Sequence, residues 1–326
     1  MRPKPKGRPS LSGPASSDQR ALASSLEPAL HKVLHGKLKP IHWFKADWQR
    51  GGAATGKSVY EDESGTHQVV IKLPIGPQEL IWTRRLQESS EELVVPRLFA
   101  SGSELGGYDL AWLVMECLPT GPLALRWHEN HVQRIAAAAA KFYASAAAFK
   151  VNQDPKREPW EQLISDAQKS VKVNHIADHK RWAAALKTLK RRSQPLVEQW
   201  RARRADQWLH GDLHMANAMT RGEFTKGSVV LIDLAEVHVG HWLEDAVYLE
   251  RQFWAIPERM KQARPVRAIA TARRRLGLEV ETQFGQLAMV RRALLAGSAP
   301  AFMKSEGPPR YLAACLIRLE SALASL

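Results

Sequence analysis

Hydrophobic and polar positions change their spacing midway along this chain. Over residues 41–73 they alternate in short runs, HWFKADWQ, VYEDE and HQVVIKLP, interrupted by a glycine-rich break, GGAATGKS, and by the turn residues ESGT at 63–66. Period-two alternation bounded by such residues predicts a series of β-hairpins. Residues 78–87 (QELIWTRRLQ) switch to helical spacing, while 94–98 and 111–118 (AWLVMECL) return to strand. A small β-rich region with one helix is therefore expected before residue 118.

Past the Pro-Thr-Gly-Pro of 119–122, a natural hinge, the spacing turns helical. The alanine-rich run HVQRIAAAAAKFYASAAAFK at 131–150 has the propensity of a long helix. Further helices are expected at 160–171, 179–204, 245–254, 257–276, 281–295 and 309–326. One stretch, 208–237, departs from this with polar loop residues and the strand VVLID. The expected fold class is α+β, and the expected organisation is a disordered basic tail over 1–21, an N-terminal lobe over 22–117 and a helical lobe over 118–326.

Composition narrows the function classes. At 326 residues, 44% hydrophobic and 25% charged, the chain is neither collagenous nor disordered for most of its length. No apolar run approaches the roughly 18 residues that span a bilayer. The N-terminal MRPKPKGRPSLSG has no apolar core behind its charges, so export is not expected and a cytoplasmic location is. Cys117 and Cys315 lie far apart in apolar contexts, which suits two reduced thiols rather than a disulfide framework or a zinc pattern. Forty-seven Lys and Arg against 33 Asp and Glu give a net charge of +14. Such a field favours anionic partners, whether nucleotides, phosphorylated metabolites, nucleic acid or acidic lipid.

The chemistry concentrates at 208–219, WLHGDLHMANAM, and at Asp233, which ends the apolar run SVVLI. A buried, stiff strand can present its terminal carboxylate to the same point as the preceding loop. Asn217 and Asp233 then supply two hard oxygen ligands of the kind Mg²⁺ takes, beside waters and phosphate. Asp212 is left to orient or deprotonate an acceptor hydroxyl. His210 is placed to hold the loop by hydrogen bonds rather than to act as a base.

These residues, HGDLHMAN followed by LIDLAEVHVGHWLEDAV with Gly240 and Asp245, resemble the aminoglycoside phosphotransferase and choline kinase-like family. The resemblance implies the bilobal protein-kinase-like fold and an ATP- or GTP-dependent, Mg²⁺-assisted transfer to a small-molecule hydroxyl. It implies roles in turn: Asp212 catalytic, Asn217 and Asp233 on metal, His210 and Asp245 in support, and Lys72 on the phosphates, braced by Glu79. Met115, Glu116 and Leu118 fall where the family's interlobe linker meets adenine, and Gly51, Gly52 and Gly56 where backbone amides serve phosphate.

Some features pull elsewhere. GGAATGKS also fits the Walker A expression, but the β-branched alternation after it argues for a loop between two strands rather than a loop opening a helix. Leu234 and Ala235 replace Phe-Gly after the metal-binding aspartate, and no Ala-Pro-Glu segment follows, unlike eukaryotic-type protein kinases. The basic run at 259–275, after Asp245, disfavours a polycationic acceptor, with Glu244, Glu250 and Glu258 the only nearby carboxylates to line such a site. A neutral or anionic acceptor is expected. Trp242 and Trp254 are the candidates for an aromatic cage should the acceptor be a quaternary amine. The competing class is a catalytically silent kinase-like protein whose basic helices bind nucleic acid or another anionic partner.

Overall fold

The computed structural model describes residues 15–44, 53–88, 92–302 and 309–326. The chain divides into two compact units, Met1–Gln87 with Pro96–Cys117, and Glu88–Val95 with Leu118–Leu326.

Among the described residues the first unit starts with helix α1 (Ala15–Val33), so helix already occupies the end of the segment expected to be a tail. Strands β1 (His42–Phe44), β2 (Ala54–Asp62) and β3 (Gly65–Ile75) follow, then helix α2 (Pro77–Arg85) and strands β4 (Leu98–Gly102) and β5 (Ala111–Glu116). The strands form one antiparallel sheet in the order β1-β2-β3-β5-β4. The β2–β3 turn is tied by Asp62, whose carboxylate accepts from the Ser64 amide at 2.8 Å and hydroxyl at 2.6 Å, while Gly65 takes a positive φ of 129°. Leu26, Leu30 and Leu34 of α1 share a core with Tyr60, Val69, Ile71, Trp112 and Val114 of the sheet.

The strand expected at 94–98 is corrected: only its last residue, Leu98, is in a strand. Pro96 has no N–H to give a ladder. The preceding carbonyls bond elsewhere, Leu93 and Val95 to the Arg221 guanidinium at 3.0 and 3.3 Å, and Val94 to the Leu231 amide at 2.7 Å. These bonds account for 88–95 belonging to the second unit.

The second unit is mainly helical, with α3 (His131–Ala146), α4 (Trp160–Val173), α5 (His179–Arg201), then strands β6 (Gln207–Leu209), β7 (Ala218–Arg221), β8 (Ser228–Leu231) and β9 (His238–Gly240). Helices α6 (Leu243–Arg251), α7 (Pro257–Ala263), α8 (Pro265–Arg275), α9 (Phe284–Phe302) and α10 (Pro309–Ser325) complete it. The small side chains of α3 let it pack closely on α8, and α9 is flanked by α4 and α10. Helix α3 stops short of the expected 150, and the Phe149 carbonyl instead accepts from the buried Trp208 indole at 2.9 Å. The single helix expected at 257–276 is two. Arg264 adopts φ 40° between them, because Pro265 disfavours the helical conformation of the residue before it. No helix among the described residues is long and apolar enough to cross a membrane.

Candidate functional site

The loop that follows β6 is fixed from below by one carboxylate. Strand β6 pairs with β9, with Trp208 and Leu209 buried, and the chain then turns through His210, Gly211 and Asp212. Asp245, 1% exposed in the first turn of α6, accepts from the amides of His210 and Gly211, both at 2.9 Å, and from the Tyr143 hydroxyl at 3.0 Å. Burial pushes the Asp245 carboxyl up, against the opposing pull of His210, His238 and the two amides. Gly211 is required here: φ is 82°, and a Cβ would lie 2.0 Å from the Glu236 carbonyl oxygen. His210 is fully buried. Its Nε2–H donates to the Ile232 carbonyl at 3.1 Å, and its Nδ1 accepts the Asp212 amide at 3.3 Å. That pattern assigns the neutral tautomer, and burial lowers the imidazole pKa accordingly.

Asp212 is half-buried among donors. Asn217 Nδ2 donates to its Oδ2 at 2.9 Å and to its backbone oxygen at 3.1 Å, His214 Nε2 lies 3.3 Å from the same Oδ2, and the Tyr248 hydroxyl donates from α6. His214 can donate because its Nδ1 is occupied in accepting the amides of Ala216 and Asn217 at 3.2 and 3.1 Å, which caps the short turn Met215–Asn217. Burial alone would raise the Asp212 pKa, but the His214 and Tyr248 hydrogen bonds and the nearby imidazoles hold it well below the usual carboxylate range. Tyr248 is correspondingly pushed up to about 12, by burial first and by Asp212 as well, with Arg251 pulling the other way.

The β7–β8 hairpin brings in the next two oxygens. Ala218 pairs with Leu231, and the ladder extends one step further through the Ile232 amide, which donates to the Asn217 carbonyl at 3.0 Å. Asn217 is thereby held one residue from Asp233, which is exposed and turns the chain with φ 65° and ψ 71°. With Asn217 Nδ2 donating to Asp212, the amide's other atom, Oδ1, is the one left to accept or to ligate. Asn217 Oδ1 and the Asp233 carboxylate are hard oxygen donors, and that set fits Mg²⁺.

In the first unit, Lys72 on β3 donates to Glu79 Oε1 at 2.6 Å, with both side chains largely buried. Gly76 and Pro77 start α2 so that Glu79 falls in its first turn. Gly56 corrects an expectation: it sits inside β2, paired with Trp43 and Ile71, rather than in a loop. A Cβ there would meet Ile41 Cγ2 at 2.4 Å and Trp43 Cε3 at 2.9 Å, so packing accounts for the glycine. Gly51 and Gly52 lie outside the described residues. Met115 is laddered to Val70 and Leu98, the Glu116 amide donates to the Arg97 carbonyl at 2.8 Å, and Leu118 is buried.

Two other expectations change. Trp242 is fully buried and donates to Glu281 at 2.9 Å, and Trp254 donates to Glu250 at 3.1 Å, so neither wall of the aromatic cage is open. Glu244 and Glu250 are buried against Arg203 and Arg292, which leaves only Glu258 exposed among the three carboxylates. The partners that sequence reasoning missed are His214, Tyr143 and Tyr248. For Tyr248 a signal existed: it stands three residues after Asp245, on the same face of a helix.

The profile of the phosphotransferase enzyme family (APH) matches residues 71–278. No curated protein matches the chain. Among solved structures, the chain is similar to a microcompartment-associated aminopropanol kinase, with a TM-score of 0.57 at 13% identity over 93% of this chain and 95% of that one. It is also similar to spectinomycin phosphotransferase APH(9)-Ia, solved with ADP and spectinomycin, with a TM-score of 0.54 at 12% identity over 93% and 98% of the two chains. Aminoglycoside phosphotransferase APH(4)-Ia gives a TM-score of 0.54 at 14% identity over 93% and 99%.

Proposed function

This chain belongs to the phosphotransferase enzyme family (APH), and from that membership together with the geometry around Asp212 we propose that it is a kinase moving the γ-phosphoryl group of ATP to an alcohol of a small molecule. The observation that carries the reading is the placement of Asn217, whose Nδ2 is bonded to Asp212, which leaves Oδ1 as its ligating atom, while its backbone carbonyl accepts from Ile232, the residue before Asp233. One side chain thus ties the acceptor-handling carboxylate to the metal-handling pair. The ADP bound by the spectinomycin phosphotransferase supports the choice of an adenine nucleotide.

Each residue then has a distinct task. Asp212 offers about four lone-pair directions, and the donors from Asn217, His214 and Tyr248 occupy three of them. The remaining direction accepts the acceptor hydroxyl and aims its oxygen at phosphorus. A carboxylate held so far below its usual range is a weak base, so its main contribution is orientation, and it takes the proton late as the new bond forms. The acceptor O–P bond forms, the bond from phosphorus to the β–γ bridging oxygen breaks, ADP leaves with that electron pair, and the hydroxyl proton passes through Asp212 to solvent. Asn217 Oδ1 and Asp233 would hold Mg²⁺, which supplies neutralisation of the phosphate charge when bound. Lys72, set by Glu79, binds the phosphates.

Purified protein incubated with γ-labelled ATP, Mg²⁺ and a small-metabolite extract tests this, with Asp212→Asn as control. Label is expected in a small molecule, reduced about 10³-fold in the variant, while nucleotide binding is retained. Surviving transfer in Asp212→Asn alongside weakened nucleotide binding overturns the assignment.

A further inference from the structure

Helix α6 carries a cation, Arg251, beside the side chains that surround Asp212. The Arg251 guanidinium lies 3.8 Å above the centre of the Tyr248 ring, that ring lies nearly parallel to the His214 imidazole, and His214 Nε2 is 3.3 Å from Asp212 Oδ2. Arg251 is therefore one ring removed from the imidazole that contacts the acceptor-handling carboxylate. Next to it, Gln252 accepts the Met215 amide of the same loop at 3.3 Å, and its buried Nε2 has no partner among the described residues.

The acidic groups that would balance Arg251 are committed elsewhere. Glu250 accepts two bonds from Arg292, at 2.8 and 2.6 Å, and one from Trp254, with Arg318 of α10 close by as a further cation. Glu244 is taken by Arg203 and by the His241 amide at 2.7 and 2.8 Å. From α10, Tyr311 faces this region. Among the described residues Arg251 makes no ion pair, and a guanidinium beside a hydroxyl-handling carboxylate keeps several N–H groups for a ligand.

We propose that Arg251 selects the acceptor by binding a carboxylate or phosphate group carried near the reacting hydroxyl, so that the substrate class is a hydroxy acid or a phosphorylated alcohol. This rests on the phosphotransferase reading for the position of the hydroxyl at Asp212. A bidentate guanidinium suits either anion, and both sources of negative charge share that recognition chemistry. The same donors repel a polyamine and leave a neutral polyol without a partner for Arg251.

The test uses the full chain and matched probes: glycerate and glycerol 3-phosphate against glycerol and aminopropanol. Calorimetry on the nucleotide-bound protein reads binding, and label transfer from ATP reads catalysis. An anionic probe is expected to bind at least tenfold more tightly than its neutral and cationic counterparts. Arg251→Ala is expected to lose roughly 10- to 100-fold in affinity for that anion, the range for a charge-assisted hydrogen bond, and Arg251→Lys to recover part of it. Whether the carboxylate or the phosphate probe wins distinguishes the two sources. Anion binding that depends on Arg251 with no transfer to any probe supports the inference while counting against catalysis. Transfer to the neutral or cationic probes with no anion preference leaves the kinase reading standing and overturns the inference. Failure of every anionic probe to bind overturns it too, as does an Arg251→Ala variant that loses nucleotide affinity instead of acceptor preference.

Discussion

Apart from the exposed Glu223 and Glu236, the acidic residues of the Asp212–Glu250 segment fall into two regions with opposite fates. Glu244, Asp245 and Glu250 are 5%, 1% and 1% exposed, and each is saturated by fixed donors: Arg203 and an amide, two amides and Tyr143, and Arg292 with Trp254. Asp212 is half-buried and Asp233 exposed, both on the loop and strand end that α6 supports. A charge taken wholly out of water has to be matched in the folded chain or it destabilises it. A charge left at the edge of solvent can keep bonding capacity for a ligand. Acidic residues adjacent in sequence are thus separated into those that build the loop and those that the loop presents.

Removing a member of the first region tests that division most severely. Asp245→Ala leaves two amides and a buried tyrosine hydroxyl without an acceptor. A loss of about 3–5 kcal/mol is expected, read from the midpoint of urea unfolding. Asp245→Asn is expected to recover little, since one end of the amide would point N–H at N–H. A loss below about 1 kcal/mol would show that the loop holds its shape by other means and that the two regions are not distinct.

Within the first unit, the Lys72–Glu79 pair sharpens the comparison, because it is as short as the structural pairs yet is read as functional. Glu79→Gln keeps the shape and removes the charge. Nucleotide affinity is expected to fall about tenfold, measured by calorimetry, with a smaller effect on unfolding. The reverse ranking would move this pair into the company of Arg203–Glu244.

The α+β architecture and the family were legible in the sequence because the residues concerned are close in the chain. HGDLHMAN, the apolar run before Asp233, and the start of α6 carry most of the resemblance within a single stretch. The helix break at Arg264 was available in principle, since Pro265 forbids a continuous helix at low cost. The carbonyl exchange that removed the strand expected at 94–98 was not, because Arg221 and Leu231 are distant in sequence. The same holds for the surroundings of Asp212. Its oxygen partners Asn217 and His214 follow in the same loop, but that Tyr248 donates to it depends on how α6 packs under that loop. Gly56 illustrates the reverse case: it reads as part of a loop and is in a strand, where two apolar side chains leave no room for a Cβ.

Tyr248→Phe makes the smallest change, one hydroxyl, and addresses whether Asp212 belongs to its own region or shades into the structural one. The tyrosine donor helps keep the Asp212 pKa depressed, so deleting it raises that pKa towards the ordinary carboxylate value. Asp212 works as the carboxylate. On acidification the variant loses that form sooner, and the acid limb of kcat/KM is expected to shift to higher pH, with kcat at neutral pH lowered less than about tenfold. Stability follows the same sign. A depressed carboxylate contributes stability that is present above its unfolded pKa and lost as pH falls through the folded one, so the variant loses less on acidification than the parent does. An acid limb that stays in place while unfolding at neutral pH worsens by several kcal/mol would put Tyr248 with Tyr143, as a beam under the loop. A shifted limb with near-normal stability makes it a tuner of the group that meets the acceptor.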